Sequence, residues 1–251
     1  MIPRAPLALL VLLATLAAAQ PKPPGREISP GVREVELPDG SVYRGSIRDG
    51  AFDGRGELIG PTYRYEGGFR DGLKQGRGVF QWKNGDRYEG LFADDRPDGA
   101  GEFRFASGAR YVGTVRQGEM SGYGTYTEPN GDIYVGRFAR GKPHGLGSFR
   151  FANGDVYEGE VTEGHVTGHG RYRSASGDVT EGDFVDGTAR GRGMILYASG
   201  DLYEGELHGG QPDGQGVLRY ADGRRFQGDF RAGQPVPEPK GETPKEGANP
   251  L

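Results

Sequence analysis

YVGRFARGKPHGLGSFRFANGDV, running from Tyr134 to Val156, is followed without a gap by YEGEVTEGHVTGHGRYRSASGDV from Tyr157. It is preceded by YVGTVRQGEMSGYGTYTEPNGDI from Tyr111. A fixed period of this size marks a repeat architecture, in which each unit is one small element that buries its apolar face only by stacking on its neighbours. Inside the unit the period is two. Tyr134, Gly136 and Phe138 fall on one face of a strand, and Val135 and Arg137 on the other. A loop holding Gly141 and Gly145 leads to a second strand with Gly147, Phe149 and Phe151 on one face. Asn153-Gly154-Asp155 then turns the chain into the next unit, since Asn-Gly between alternating runs is the strongest short hairpin signal.

Outward from this stretch, units begin at Tyr43, Tyr65, Tyr88, Tyr111, Tyr134, Tyr157, Thr180 and Tyr203, with a partial ninth at Phe226. The first spacing is 22 residues and the others are 23. Val35 and Leu37 belong to a half repeat that caps the N-terminal end. The expected fold is all-β: an elongated, single-layer antiparallel meander of tandem 23-residue β-hairpins over residues 31–231. At about 4.8 Å per strand such a ribbon spans roughly 80 Å. Glycine is weak inside a strand and marks close approach. Gly136 and Gly147 therefore offer bare backbone on which rings can lie flat.

The two ends read differently. Arg4, the apolar run Leu7–Leu16 and Ala17-Ala18-Ala19 have the form of a secretory signal peptide over residues 1–19. The apolar run is short of the roughly 20 residues that span a bilayer. Export to a periplasm or out of the cell is the expectation, with an uncleaved membrane anchor as the alternative. Residues 20–30 read as a proline-rich linker and residues 232–251 as a proline-rich disordered tail. The chain has 48 glycines, no cysteine and a formal net charge of −4. Thiol chemistry and cysteine-type zinc sites are excluded, and a nucleic-acid partner is disfavoured because it needs a basic face.

The pattern Y-x-G-x-[FW]-x-x-G-x-x-x-G-x-G, as from Tyr134 to Gly147, resembles the MORN (membrane occupation and recognition nexus) repeat. Gly141–Gly145 and Tyr65 to Phe69, with Gly72, Gly76 and Gly78, carry the resemblance best. Departures are Asp95 for a glycine, Thr180 for the leading tyrosine, and Val115, Val161 and Leu207 for the internal aromatic. There the aromatic ladder should be weaker. The resemblance implies an elongated β scaffold used for binding, with members linked to phospholipid, to membrane apposition, to protein partners and to self-association.

Two rows of side chains compete as sites. The aromatic–glycine face carries Tyr65, Phe69, Trp82, Tyr88, Phe92, Tyr111, Tyr134, Phe138, Phe149, Phe151, Tyr157 and Tyr203. Most of these rings are expected to pack on each other and on glycine, while a single-layer sheet leaves the strip room to take a partner segment or a second copy of the chain. On the other face, Arg104, Arg150, Arg173 and Arg219 offer a row for anionic phospholipid headgroups. Glu66, Glu89, Glu158, Glu181 and Glu204 sit close enough to pair with them instead. His144, His165 and His169 lack a carboxylate cluster and make no metal site. Asp86, Asp132, Asp155, Asp178 and Asp201 read as turn caps. Gly76-Arg77-Gly78 and its equivalents precede strands and not helices, so they bind no nucleotide. No catalytic set, metal or cofactor is expected: the chain reads as a non-enzymatic scaffold.

Overall fold

A computed structural model describes residues 25–237. The leader at 1–19, residues 20–24 of the linker and residues 238–251 of the tail lie outside the described residues. The described chain forms one open antiparallel sheet of 20 strands, each paired with the next in sequence. In order these are β1 (Arg26–Ser29), β2 (Val32–Glu36), β3 (Val42–Arg48), β4 (Ala51–Ile59), β5 (Tyr63–Arg70), β6 (Leu73–Trp82) and β7 (Arg87–Ala93). Then come β8 (Arg96–Arg104), β9 (Arg110–Arg116), β10 (Glu119–Thr127), β11 (Ile133–Ala139), β12 (Lys142–Arg150), β13 (Val156–Thr162) and β14 (His165–Arg173). The sheet ends with β15 (Val179–Val185), β16 (Thr188–Leu196), β17 (Leu202–His208), β18 (Gln211–Arg219), β19 (Arg225–Arg231) and β20 (Gln234–Pro235).

The expected meander is present, and two boundaries move. Arg26–Ser29, placed in the linker, pairs with β2, and Gln234–Pro235, placed in the tail, pairs with β19. Both are edge additions, and their short length limits the exposed ladder that an open sheet presents at its ends.

The tight turn of each hairpin is not at Asn-Gly. It is the two-residue turn Arg140-Gly141, where both residues have positive φ (49° and 77°) and Ala139 pairs with Lys142. That is the mirror-image turn whose twist suits a hairpin. The expected loop at 141–145 is therefore mostly strand, and Gly145, also at positive φ (79°), sits within a bulge. There Arg137 of β11 faces three residues of β12, because Gly136 pairs with Gly147 while Phe138 pairs with Pro143. Such a bulge breaks the ladder locally, and the tyrosine fills the gap. The Tyr134 hydroxyl donates to the Arg137 carbonyl at 3.0 Å. Tyr43, Tyr65, Tyr88, Tyr111, Tyr157 and Tyr203 each donate in the same way, three residues ahead.

To reach that carbonyl the ring must cross its own strand two residues on, and only glycine permits it. A Cβ at Gly136 would lie 2.7 Å from Tyr134 Cζ, and one at Gly147 would lie 2.5 Å from Cε2. Register carries these glycines into a continuous rail across the sheet: Gly45, Gly56, Gly67, Gly78, Gly90, Gly101, Gly113, Gly124, Gly136, Gly147 and Gly159 pair in turn. Phenylalanines then wedge edge-on between successive tyrosines. Phe138 lies 5.2 Å from Tyr134 and 5.0 Å from Tyr111, both T-shaped, a favoured aromatic geometry.

Units are also clipped to each other through their wider turns. Asp132 Oδ1 accepts the Ala152 amide at 2.8 Å, and Asp86, Asp155, Asp178 and Asp201 repeat the contact to Ala106, Ala175, Ala198 and Ala221. The aspartates do cap turns, but the turn is that of the next unit. The series skips one joint: Ala109 stands where the carboxylate belongs. Its target position holds Pro129, which has no amide to cap.

Three departures have visible compensations. Thr180 supplies no ring, and Leu207 Cδ1 comes over Gly193 in its place. Asp95 (φ 68°) replaces the turn glycine and binds the buried Lys74 at 3.2 Å, its Oδ1 also accepting the Lys74 amide at 2.9 Å. Glu128 occupies a position that holds Phe105 and Phe151 in the flanking units, and its Oε1 is buried without a hydrogen-bond partner. Burial, and then Asp132, push this carboxyl above its ordinary range. The native state therefore favours the protonated acid, and that stability is present at low pH and lost as pH rises through the folded value. Glu128→Phe should raise stability by about 1 kcal/mol at pH 7, the scale of one unsatisfied buried polar group. Thermal melts should show the gap from wild type narrowing towards pH 4.

Candidate partner-binding face

The sheet has two unlike faces. On the ring-bearing face Tyr65, Tyr88, Tyr111 and Tyr157 are 0% exposed. Phe69, Phe92, Tyr134, Phe138, Phe149, Phe151 and Tyr203 are also buried, and Trp82 is half-buried. These rings pack on one another and on glycine, and as placed they leave little accessible groove among them. Each tyrosine is pressed onto glycine by its own hydroxyl bond, and Tyr65, Tyr111, Tyr157 and Tyr203 are also covered by the edge of the next unit's phenylalanine, so a one-layer sheet hides most of these rings within itself. Desolvation pushes the hydroxyls of Tyr88 and Tyr134 up to about 12, so they remain neutral donors at ordinary pH.

The opposite, open face carries what remains available. Two residues into most units stands a glutamate, but in the fourth and fifth the residue is Val112 and Val135. Register places Val112, Thr125, Val135 and Ser148 side by side across β9, β10, β11 and β12. A second row, on the other side of the glycine rail, holds Leu91, Ala100, Thr114, Tyr123, Arg137 and Leu146. Tyr123 is 64% exposed, Val135 52% and Leu146 67%. Arg137 lies over the Tyr123 ring at 5.0 Å, a cation–π contact. The sequence signal was present: two valines interrupt the glutamate column.

Towards the N-terminal end the two rows bound a groove of about 950 Å³ over the rail, lined by Arg55, Glu57, Arg77, Glu89, Leu91 and Glu102, among others. Its carboxylates are largely engaged. Glu57 meets Arg64 at 2.7 Å and Arg44 at 3.8 Å, and Glu89 meets Arg87 at 2.7 Å. Glu102 meets Arg110 at 2.8 Å and also Arg104, and those hydrogen bonds hold its carboxyl down at about 2. Arg55 and Arg77 have no ion pair among the described residues.

The arginine row is only partly free. Arg104 is held by Glu102, and Arg219 by Glu204 at 2.8 Å, whereas Arg150 and Arg173 have no ion pair among the described residues. The pairing runs diagonally, since Glu204 sits opposite Val217 and Arg219 opposite Leu202. His169 lies 3.3 Å from Asp183, and His144 and His165 are exposed strand residues. Among the described residues no group of three or more His, Cys, Asp or Glu could hold a metal ion.

Residues 43–63, 65–87, 88–110, 111–133, 134–156, 157–179, 181–202 and 203–224 each match the family model of the MORN repeat. No match is found among curated proteins. Among solved structures the chain is similar to the TCP10 domain of CPAP from Danio rerio, at 17% identity over 80% of this chain and 90% of that one, with a TM-score of 0.42. It is also similar to the TCP domain of SAS-4 from Drosophila melanogaster, solved with a proline-rich motif of Ana2, at 15% identity over 87% and 99%, TM-score 0.36. Likenesses at this level decide nothing about function. Eight tandem matches over most of the length do decide the family. The chain belongs to the MORN-repeat family, as a repeat scaffold.

Proposed function

We propose that the chain is an exported, non-enzymatic scaffold that binds a protein partner across its open face. The observation that carries this reading is the exposed apolar set Val112, Tyr123, Val135 and Leu146 on a sheet that buries most of its other rings. Contiguous apolar surface of this kind on an otherwise charged chain marks an interaction site. Export rests on the leader-like residues 1–19, and a mature chain beginning at Gln20 is the form that mass spectrometry of exported material should find. The lipid reading through Arg104, Arg150, Arg173 and Arg219 is less favoured, because two of the four guanidiniums are already engaged. Flotation with anionic vesicles at low salt tests it separately.

The test of partner binding is positional. A photo-crosslinker at Val135 or Leu146 should trap a discrete species in the exporting cell, and one at Arg48 on the first turn should not. The pair Val135→Glu and Leu146→Glu, both on exposed strand positions, should leave the melting temperature nearly unchanged, within about 0.5 kcal/mol. It should also remove that species. Identical crosslinks from all three sites would defeat the proposal, and a crosslink to a second copy would turn it into self-association.

A further inference from the structure

We infer that the partner segment is acidic at one end and apolar along the rest, and that it lies across the strands along the glycine rail. This rests on the open face being the partner-binding face. Along the second row the side chains change character in order. Arg55 and Arg77 come first, on β4 and β6, then Leu91, Ala100 and Thr114, then Tyr123 and Leu146, with Arg137 between those two and laid over the Tyr123 ring. Gly68 of β5 pairs with Arg55 and places no side chain between the two guanidiniums. Both arginines are exposed, line the groove and lack an ion pair among the described residues. The neighbouring Glu57, Glu89 and Glu102 are each occupied by arginines of their own, and Glu66, also on the groove, meets Arg64 at 3.8 Å. The groove therefore keeps two unpaired guanidiniums at this end, and the row beyond it is apolar except for Arg137, which is taken up by the Tyr123 ring.

Size fits a linear segment. From β4 to β12 is eight strand spacings, about 38 Å at 4.8 Å each, or about eleven residues of extended chain. Carboxylates suit guanidinium forks through charge-assisted hydrogen bonds. Leucine or valine side chains suit the strip from Leu91 to Leu146. A basic head would meet Arg55 and Arg77 as like charges, and this repulsion sets the discrimination.

Fluorescein-labelled 14-residue peptides can report this by anisotropy against the full chain. One peptide carries glutamates in its first four positions followed by alternating leucine and serine, and the other has lysines for the glutamates. The glutamate-headed peptide should bind about tenfold more tightly, with the difference shrinking as salt rises. Arg55→Glu with Arg77→Glu should reverse the preference. Arg55→Gln with Arg77→Gln should erase it, and serves if the charge reversal disturbs the fold. Equal binding of the two peptides, or a preference that survives both variants, overturns the inference. If neither peptide binds while the positional crosslinks at Val135 persist, the acidic–apolar chemistry is wrong and partner binding at this face stands. If those crosslinks are also missing, the underlying reading has failed.

Discussion

Tyr134→Ala should destabilise the chain by about 3–5 kcal/mol, the range for removing a fully buried large ring. The loss has three parts. The ring leaves a cavity over Gly136 and Gly147, Phe138 loses its edge-on partner at 5.2 Å, and the Arg137 carbonyl loses its donor at the bulge. Tyr134→Phe isolates the last part and should cost about 1–2 kcal/mol. In a one-dimensional stack each unit touches only its neighbours. Hydrogen exchange should therefore show β9 to β14 losing protection while β3 to β6 keep theirs. Uniform loss over the sheet would show that the units unfold as a single block, contrary to this account.

Asp95→Gly should also be damaging, although it restores the family's usual turn residue. Glycine relieves the positive φ of 68° but strands the Lys74 ammonium, which is buried over the Tyr65 and Phe80 rings at 5.7 and 5.9 Å. Breaking a buried pair from one side costs about 3–5 kcal/mol. Asp95 is partly exposed, with side-chain exposure of 21%, so about 2 kcal/mol is the expected size. The equivalent of Lys74 is a proline in three other units, Pro97, Pro143 and Pro212. Lys74→Pro added to Asp95→Gly should return most of the loss, because it removes both the stranded charge and the amide that Asp95 served. A double-mutant cycle in urea reads the coupling. Additive effects would mean that the two residues act independently.

Much of this was legible in the residues. Period two placed Tyr134, Gly136 and Phe138 on one face, and the strict spacing forced a meander. What was not legible depended on contacts that a face pattern does not encode. Parity says that Tyr134 and Gly136 share a side, but not that the hydroxyl bonds three residues ahead and draws the ring flat. That bond decides whether the aromatic face is open or closed. Asn153-Gly154 looked like the tight turn, yet Gly154 alone has positive φ there, while Arg140 and Gly141 both do. Turn type follows from the twist of the flanking strands, and arginine gives no local sign of it. The partnership of Lys74 with Asp95 spans 21 residues, so each looked like an isolated oddity.

The missing clip at Ala109 and Pro129 bears on how such a chain can change length. The joints at Asp86, Asp132, Asp155, Asp178 and Asp201 are interchangeable: an aspartate on one copy caps an alanine amide on the next. Deleting or duplicating a copy among those joints leaves each cap with a matching recipient. Ala109 and Pro129 match only one another. A deletion that brings Asp86 opposite Pro129 wastes a carboxylate, and one that brings Ala109 opposite Ala152 leaves an amide bare. The two copies beginning at Tyr88 and Tyr111 are thus locked as neighbours, and they are the pair that carries Leu91, Val112 and Tyr123. Among the aspartate-clipped joints the number of copies is free to drift; at this junction the order is fixed.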